Sequence, residues 1–149
     1  MQLTELAKPF PDHLIHKNPS GRGRYVKHSA YVQRLLGVCG PFEFRINEII
    51  RGDAPGKEGE PALKGVVVAC TATLVLWIDG RSYAVTEVGE CERPSNWDHD
   101  GSRLKDAASD ALKRCAMRFG VGLHLWGEEE TTLYTILRKK EKSVGSGDD

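Results

Sequence analysis

No apolar run in this chain approaches the roughly 18–20 residues that a membrane-spanning helix needs. No charged-then-apolar leader opens it, so a cytosolic protein without membrane partners is expected. CxxC pairs are also missing. The four cysteines, Cys39, Cys70, Cys91 and Cys115, each sit in an apolar or helical run. Buried free thiols in a reducing compartment are the expected state. Cys91, His99, Cys115 and His124 include no pair at ligand spacing on a turn, which argues against zinc. An excess of one charge is lacking too: 21 basic residues balance 21 acidic ones. That excludes a uniformly basic nucleic-acid binder but leaves room for a local basic surface.

The most telling shortage is local. Between His13 and Phe42 there is no Asp or Glu, yet Lys17, Arg22, Arg24, Lys27 and Arg34 all fall there. From Glu128 onward the balance reverses, with Glu128, Glu129, Glu130, Glu141, Asp148 and Asp149 against four basic residues. Such asymmetry suits a face that meets phosphate, and equally a face that meets an acidic partner. The Gly-rich NPSGRGR in that stretch lacks the Lys-Ser/Thr of a nucleotide-binding P-loop and reads as a flexible basic arm.

A length of 149 residues fits one domain with a real core, and no internal repeat is visible. Residues 1–11 read as a short lead-in and 12–27 as the polar arm. Residues 29–39 carry Tyr31, Val32, Leu35, Leu36 and Cys39 at helical spacing, with Ser29 as cap and Gly40-Pro41 as stop. Residues 42–51 alternate, Phe42, Phe44 and Ile46 against Glu43, Arg45 and Asn47, as in a half-buried strand. Residues 52–65 read as a long polar loop, and Arg51-Gly52-Asp53 at its entry reads as a turn. Residues 66–78 form a second strand, apolar on both faces. Asp79-Gly80 has the chemistry of a two-residue hairpin turn, and 81–91 return as a third strand.

Residues 105–122, KDAASDALKRCAMRFGVG, are the most specific segment. They read as an amphipathic helix capped at Ser102, ending near Phe119, with Gly120 and Gly122 suited to a left-handed stop. Turned at about 100° per residue, Leu104, Ala108, Ala111, Cys115 and Phe119 form an inward stripe with Leu112 at its edge. Its small residues allow a close approach to a sheet. Arg114 and Arg118 stand on one flank, and Lys113 points nearly opposite the stripe. A last helix is expected over 128–142, acidic at its start and basic at its end (Arg138, Lys139, Lys140, Lys142), as the helix dipole favours. The expected fold is α+β: an antiparallel three-stranded meander packed against a long helix (β-β-β-α), with a short N-terminal helix and a C-terminal helix. Residues 1–142 make one domain and 143–149 a disordered tail.

Spacing leaves the function of the basic cluster open. Three cations in six residues suit phosphate recognition; the Asp110–Arg114 pair and the cations near the helix end suit simple helix stability. The run DALKRCAMRFGVG resembles the helix of the Rad-fifty-two-type single-strand annealing proteins, at Asp110, Leu112, Lys113, Arg114, Phe119 and Gly120. The order of elements from about Leu6 to Trp126 is similar as well. The resemblance implies a non-enzymatic protein of recombination and repair that binds single-stranded DNA and pairs complementary strands without nucleotide hydrolysis or any cofactor. It implies a homo-oligomeric ring or filament, from a phage or bacterial cytosol, working beside a single-strand-binding protein or a recombination exonuclease. It places Lys113 and Arg114 on the DNA groove. The chain departs from the eukaryotic pattern at Met117, with the cation one later at Arg118, and at Ala30 and Pro41. The expected DNA-binding set is Lys113, Arg114, Arg118, Lys105, Lys27, Arg22 and Arg24. Trp77, Trp97 and Trp126 have the chemistry to stack bases. Trp77, in a strand, and Trp126, after the helix, are more often core or subunit contacts, which leaves Trp97, in a loop, as the one worth testing. Two other classes remain: an adaptor whose basic face docks an acidic partner, and a small metal-dependent nuclease built on Asp98 and Asp100.

Overall fold

The computed structural model describes residues 1–125 and 133–145. In chain order it contains α1 (Gln2–Ala7), β1 (Ile15–Lys17), β2 (Arg24–Val26), α2 (His28–Cys39), β3 (Glu43–Ala54), β4 (Leu63–Ile78), β5 (Arg81–Glu90), α3 (Asp100–Met117) and α4 (Leu133–Gly145). These fall into two compact units. One comprises Met1–Pro41, Trp77–Arg81 and Ala116–Asp149; the other comprises Phe42–Leu76 and Ser82–Cys115.

The second unit carries the expected α+β centre. Strand order is β3-β4-β5, so the apolar strand β4 is central and β3 and β5 are the edges. From Val67 to Leu76 its residues are buried or half-buried on both faces. Asp79 (φ 51) and Gly80 (φ 79) both adopt the left-handed conformation that the Asp-Gly pair was expected to supply at the β4–β5 turn. The loop between β3 and β4 is shorter than expected, because both strands extend into it and pair as far as Ala54↔Leu63. Arg51-Gly52-Asp53 is therefore strand, not turn. Asp53 Oδ1 accepts the backbone N–H of Gly65 at 3.1 Å across the pair. The alternation expected along β3 fails after Phe44. A register shift at Asn47 interrupts the pairing, and Ile46, Ile49 and Ile50 are exposed.

Helix α3 packs on this sheet through small residues. Ala107 and Ala111 are fully buried with Cys70, Ala72 and Cys91, and Phe44, Leu104 and Ala108 are packed around them. At Gly89 of β5 an added Cβ would collide with the carbonyl oxygen of Ala107 and lie 2.7 Å from Ala111 Cβ. The close approach expected from the alanine stripe is present. The stripe itself is rotated, however: Arg103, Ala107, Ala111, Leu112, Cys115 and Ala116 are the buried positions, and Leu104 and Ala108 only half-buried. Hydropathy periodicity counts Arg103 as an outward residue, and its burial shifts the face. The helix also starts earlier than expected. The His99 carbonyl accepts the N–H groups of Ser102 (3.1 Å) and Arg103 (3.2 Å), so Ser102 lies inside the first turn. Asp98 and Asp100 are thereby separated, with Asp100 the first helical residue.

In the first unit the lead-in is helical and the polar arm is a hairpin, both contrary to expectation. Leu6, Ala7 and Phe10 are buried, and Phe10 stacks tilted on Tyr31 at 5.2 Å between centroids. Arg34 of α2 lies 4.5 Å over the Phe10 ring. Its Nη1 donates to the carbonyls of Leu6 (3.0 Å) and Lys8, which satisfies acceptors at the end of α1 that have no helical partner. Strands β1 and β2 pair antiparallel, Ile15↔Val26, His16↔Tyr25 and Lys17↔Arg24. NPSGRGR is their connection, closed by Asn18 N–H donating to the Gly23 carbonyl at 3.1 Å and by left-handed Gly21 and Gly23. Three-residue strands are too short for a period-2 pattern to stand out. Helix α2 begins at His28 without the side-chain cap expected of Ser29, and ends at left-handed Gly40 as expected.

Gly120 (φ 92) and Gly122 (φ 76) follow α3 in the left-handed region, which bears out their role as a stop. Helix α4 runs through Gly145 rather than ending at Lys142. Thr4 donates its hydroxyl proton to Glu141 at 2.6 Å, joining α1 to α4. The expected acidic start at Glu128–Glu130, Trp126 and residues 146–149 lie outside the described residues. No described helix is long and apolar enough to cross a membrane.

Candidate nucleic-acid interface

The structure distributes the candidate cations over both units. Lys105, Lys113 and Arg114 belong to α3 within the second unit. Arg22, Arg24, Lys27 and Arg118 belong to the first.

Along α3 the cations alternate with carboxylates. Arg114 donates from Nε to Asp110 Oδ2 at 3.0 Å, and about half of its side chain stays exposed (48%). Asp110 Oδ2 also accepts the backbone N–H of Glu90 at 3.0 Å, so the arginine is positioned from the end of β5. Lys113 is half-buried rather than pointing clear of the protein. Burial lowers its ammonium below the usual lysine range, and the charges of Asp110 and Asp106 oppose that shift. Burial likewise pushes the Asp106 carboxyl up, despite its hydrogen bond with the Cys91 thiol. Cys91 in turn is pushed up to about 11, by burial first and Asp106 next. Its thiol stays protonated at neutral pH, as befits a buried structural cysteine. Cys70, Cys91 and Cys115 are buried free thiols as expected; Cys39 is half-buried.

At the start of α3 lies an open depression of about 270 Å³ lined by Trp97, Ser102, Lys105, Asp106 and Ser109. It brings the expected cation Lys105 together with the loop tryptophan. The loop is held by Arg103, a residue that composition and spacing did not single out. Only 7% exposed, Arg103 donates from Nε to the Pro94 carbonyl (2.9 Å), from Nη2 to the Trp97 carbonyl (2.6 Å) and from Nη1 to Asp100 (3.0 Å). A buried arginine is tolerable because its donors are satisfied. Asp100 further accepts the N–H of Val67 (3.1 Å) and the Arg51 guanidinium (2.8 Å). Those hydrogen bonds, Val67 first and then Arg51 and Arg103, hold its carboxyl down at about 2. No cluster of three or more metal-ligating side chains occurs among the described residues.

On the hairpin, Lys17, Arg22, Arg24 and Lys27 are all exposed. Lys17 stands directly opposite Arg24 in the ladder, an arrangement of like charges that disfavours the pair by itself. Arg24 Nη2 reaches the His124 carbonyl at 3.5 Å. On the other face His16 and Tyr25 stack at 5.3 Å. Lys17 was absent from the expected set, although the acid-free stretch that contains it was the available signal.

No curated protein and no solved structure matches the chain. Residues 2–144 match the family model for the Rad52/22 family double-strand break repair protein, and the chain belongs to that family.

Proposed function

We propose that this protein binds single-stranded DNA and anneals complementary strands, without nucleotide hydrolysis, as a homo-oligomeric ring or filament. The family match over residues 2–144 carries the reading, because the family is described as one of double-strand break repair proteins. Cations on α3 and, in the other unit, exposed cations on the hairpin each support that reading. On α3, Arg114 pairs with Asp110, and the charges of Asp110 and Asp106 act on Lys113. Backbone contacts moderated in this way are individually weak and indifferent to sequence, which lets two strands be sampled before they pair.

Self-assembly is supported by the sheet. Central β4 is paired with β3 on one side and β5 on the other. The edges are better placed: β3 exposes Ile46, Ile49 and Ile50, and β5 exposes Tyr83 and Val88. Two different apolar edges suit head-to-tail contacts, which close into rings or continue as filaments. Asp100 lends no support to a nuclease, since its carboxylate is taken up by Val67, Arg51 and Arg103.

Native mass with and without a single-stranded oligonucleotide tests the proposal. The expected result is an assembly larger than the 16.5 kDa chain that takes up the oligonucleotide. A monomer indifferent to DNA contradicts both halves of it and leaves an adaptor for an acidic protein as the better reading.

A further inference from the structure

We infer that Trp97 is a stacking platform for one base of a bound single strand, with Lys105 beside it taking the adjoining phosphate. The inference rests on the DNA-binding reading above and adds to it a contact with the base. Three observations carry it. The Trp97 side chain is 40% exposed, although an indole offers more apolar surface than any other side chain and is mostly buried in folded proteins. Its backbone is nonetheless fixed: the N–H donates to Pro94 at 3.2 Å and the carbonyl accepts from buried Arg103 at 2.6 Å. An exposed aromatic on a rigid backbone has little ordering left to undergo when a ligand arrives.

The third observation is what surrounds it. Trp97 shares an open depression of about 270 Å³ with Lys105 and the hydroxyl residues Ser102 and Ser109. An aromatic surface, an ammonium and two hydroxyls match a nucleotide: base on the indole, phosphate on the cation and hydroxyls. Asp106, also lining the depression, repels a phosphate on its side and leaves Lys105 as the favoured position. Every base has a π-face, so the contact is indifferent to sequence. Duplex bases present no free face except at the ends, so the platform selects single strands.

The test compares equilibrium binding of a short oligo-dT and an abasic sugar–phosphate strand of equal length to the full chain. Trp97→Ala weakens oligo-dT binding about ten-fold, within the range for one stacked base, and leaves the abasic strand unchanged. Trp97→Phe keeps most of the affinity. Equal loss on both strands, no loss on oligo-dT, or a phenylalanine variant as weak as alanine overturns the inference. Should the alanine variant fail to fold, indole emission decides. Oligo-dT quenches the wild type more than Trp97→Phe, and equal quenching overturns the inference. A wild type that binds neither strand overturns this and the DNA-binding reading together; binding of both strands without dependence on Trp97 overturns this one alone.

Discussion

Asp100 Oδ1 accepts the backbone N–H of Val67 at 3.1 Å, fastening the first residue of α3 to the central strand of the sheet. The same carboxylate holds Arg51 and Arg103, and the three interactions depress its folded-state value from 3.8 to about 2. A depressed carboxylate contributes stability that is complete above its unfolded value and is lost as pH falls through the folded one. Asp100→Ala should therefore lower the melting temperature at pH 7. The gap between variant and wild type should narrow as pH drops from about 4 to about 2. A gap independent of pH over that window contradicts the assignment.

Gly89 and Ala107 set how closely β5 and α3 approach. A methyl group at Gly89 meets the Ala107 carbonyl oxygen and the Ala111 amide nitrogen, which are backbone atoms unable to rotate away. Gly89→Ala should destabilise the protein by about 3 kcal/mol, the upper range for overpacking a tight contact. The midpoint of urea unfolding reports it, and an unchanged midpoint shows that the helix can lift off the sheet at little cost.

On α3, Lys113→Ala/Arg114→Ala should leave folding and assembly intact while weakening oligonucleotide binding. Removing two phosphate contacts should reduce the slope of log affinity against log salt by about 1.4 for a single strand. An unaltered slope assigns both residues to helix stability alone, with Arg114 serving only its pair with Asp110.

On the hairpin, Lys17 faces Arg24 across the ladder. Lys17→Glu replaces a like-charge pair by an opposite one and should stabilise the fold by about 0.5 kcal/mol. If the cations are kept for phosphate, the same variant should bind oligonucleotide less tightly. Thermal melts and binding isotherms on one preparation separate the two effects; unchanged binding removes the hairpin from the interface.

What the sequence made legible follows from physics that acts locally. Asp79-Gly80 forms its turn because both residues adopt left-handed backbone, and Gly40, Gly120 and Gly122 end their helices for the same reason. The strands of the meander and α3 are long enough for their element types to be read, although the alternation of β3 fails after Phe44. The hairpin of Ile15–Lys17 and Arg24–Val26 does not, and its polar residues disguise it as an arm. Burial of Arg103 depends on the carbonyls of Pro94 and Trp97, which no hydropathy pattern encodes, and it turns the buried face of α3 away from Leu104. Resemblance pointed to Lys113 and Arg114, and the Asp110–Arg114 pair was legible from its spacing; the partial burial of Lys113 beside Asp110 and Asp106 became visible only with the helix in place.

The central claim is annealing itself, and the most direct test is the rate at which two complementary labelled oligonucleotides pair, in chelator and without nucleotide. The protein is expected to accelerate pairing well above the spontaneous rate, and Lys113→Ala/Arg114→Ala to lose most of that acceleration. Pairing no faster than the spontaneous rate would contradict that claim.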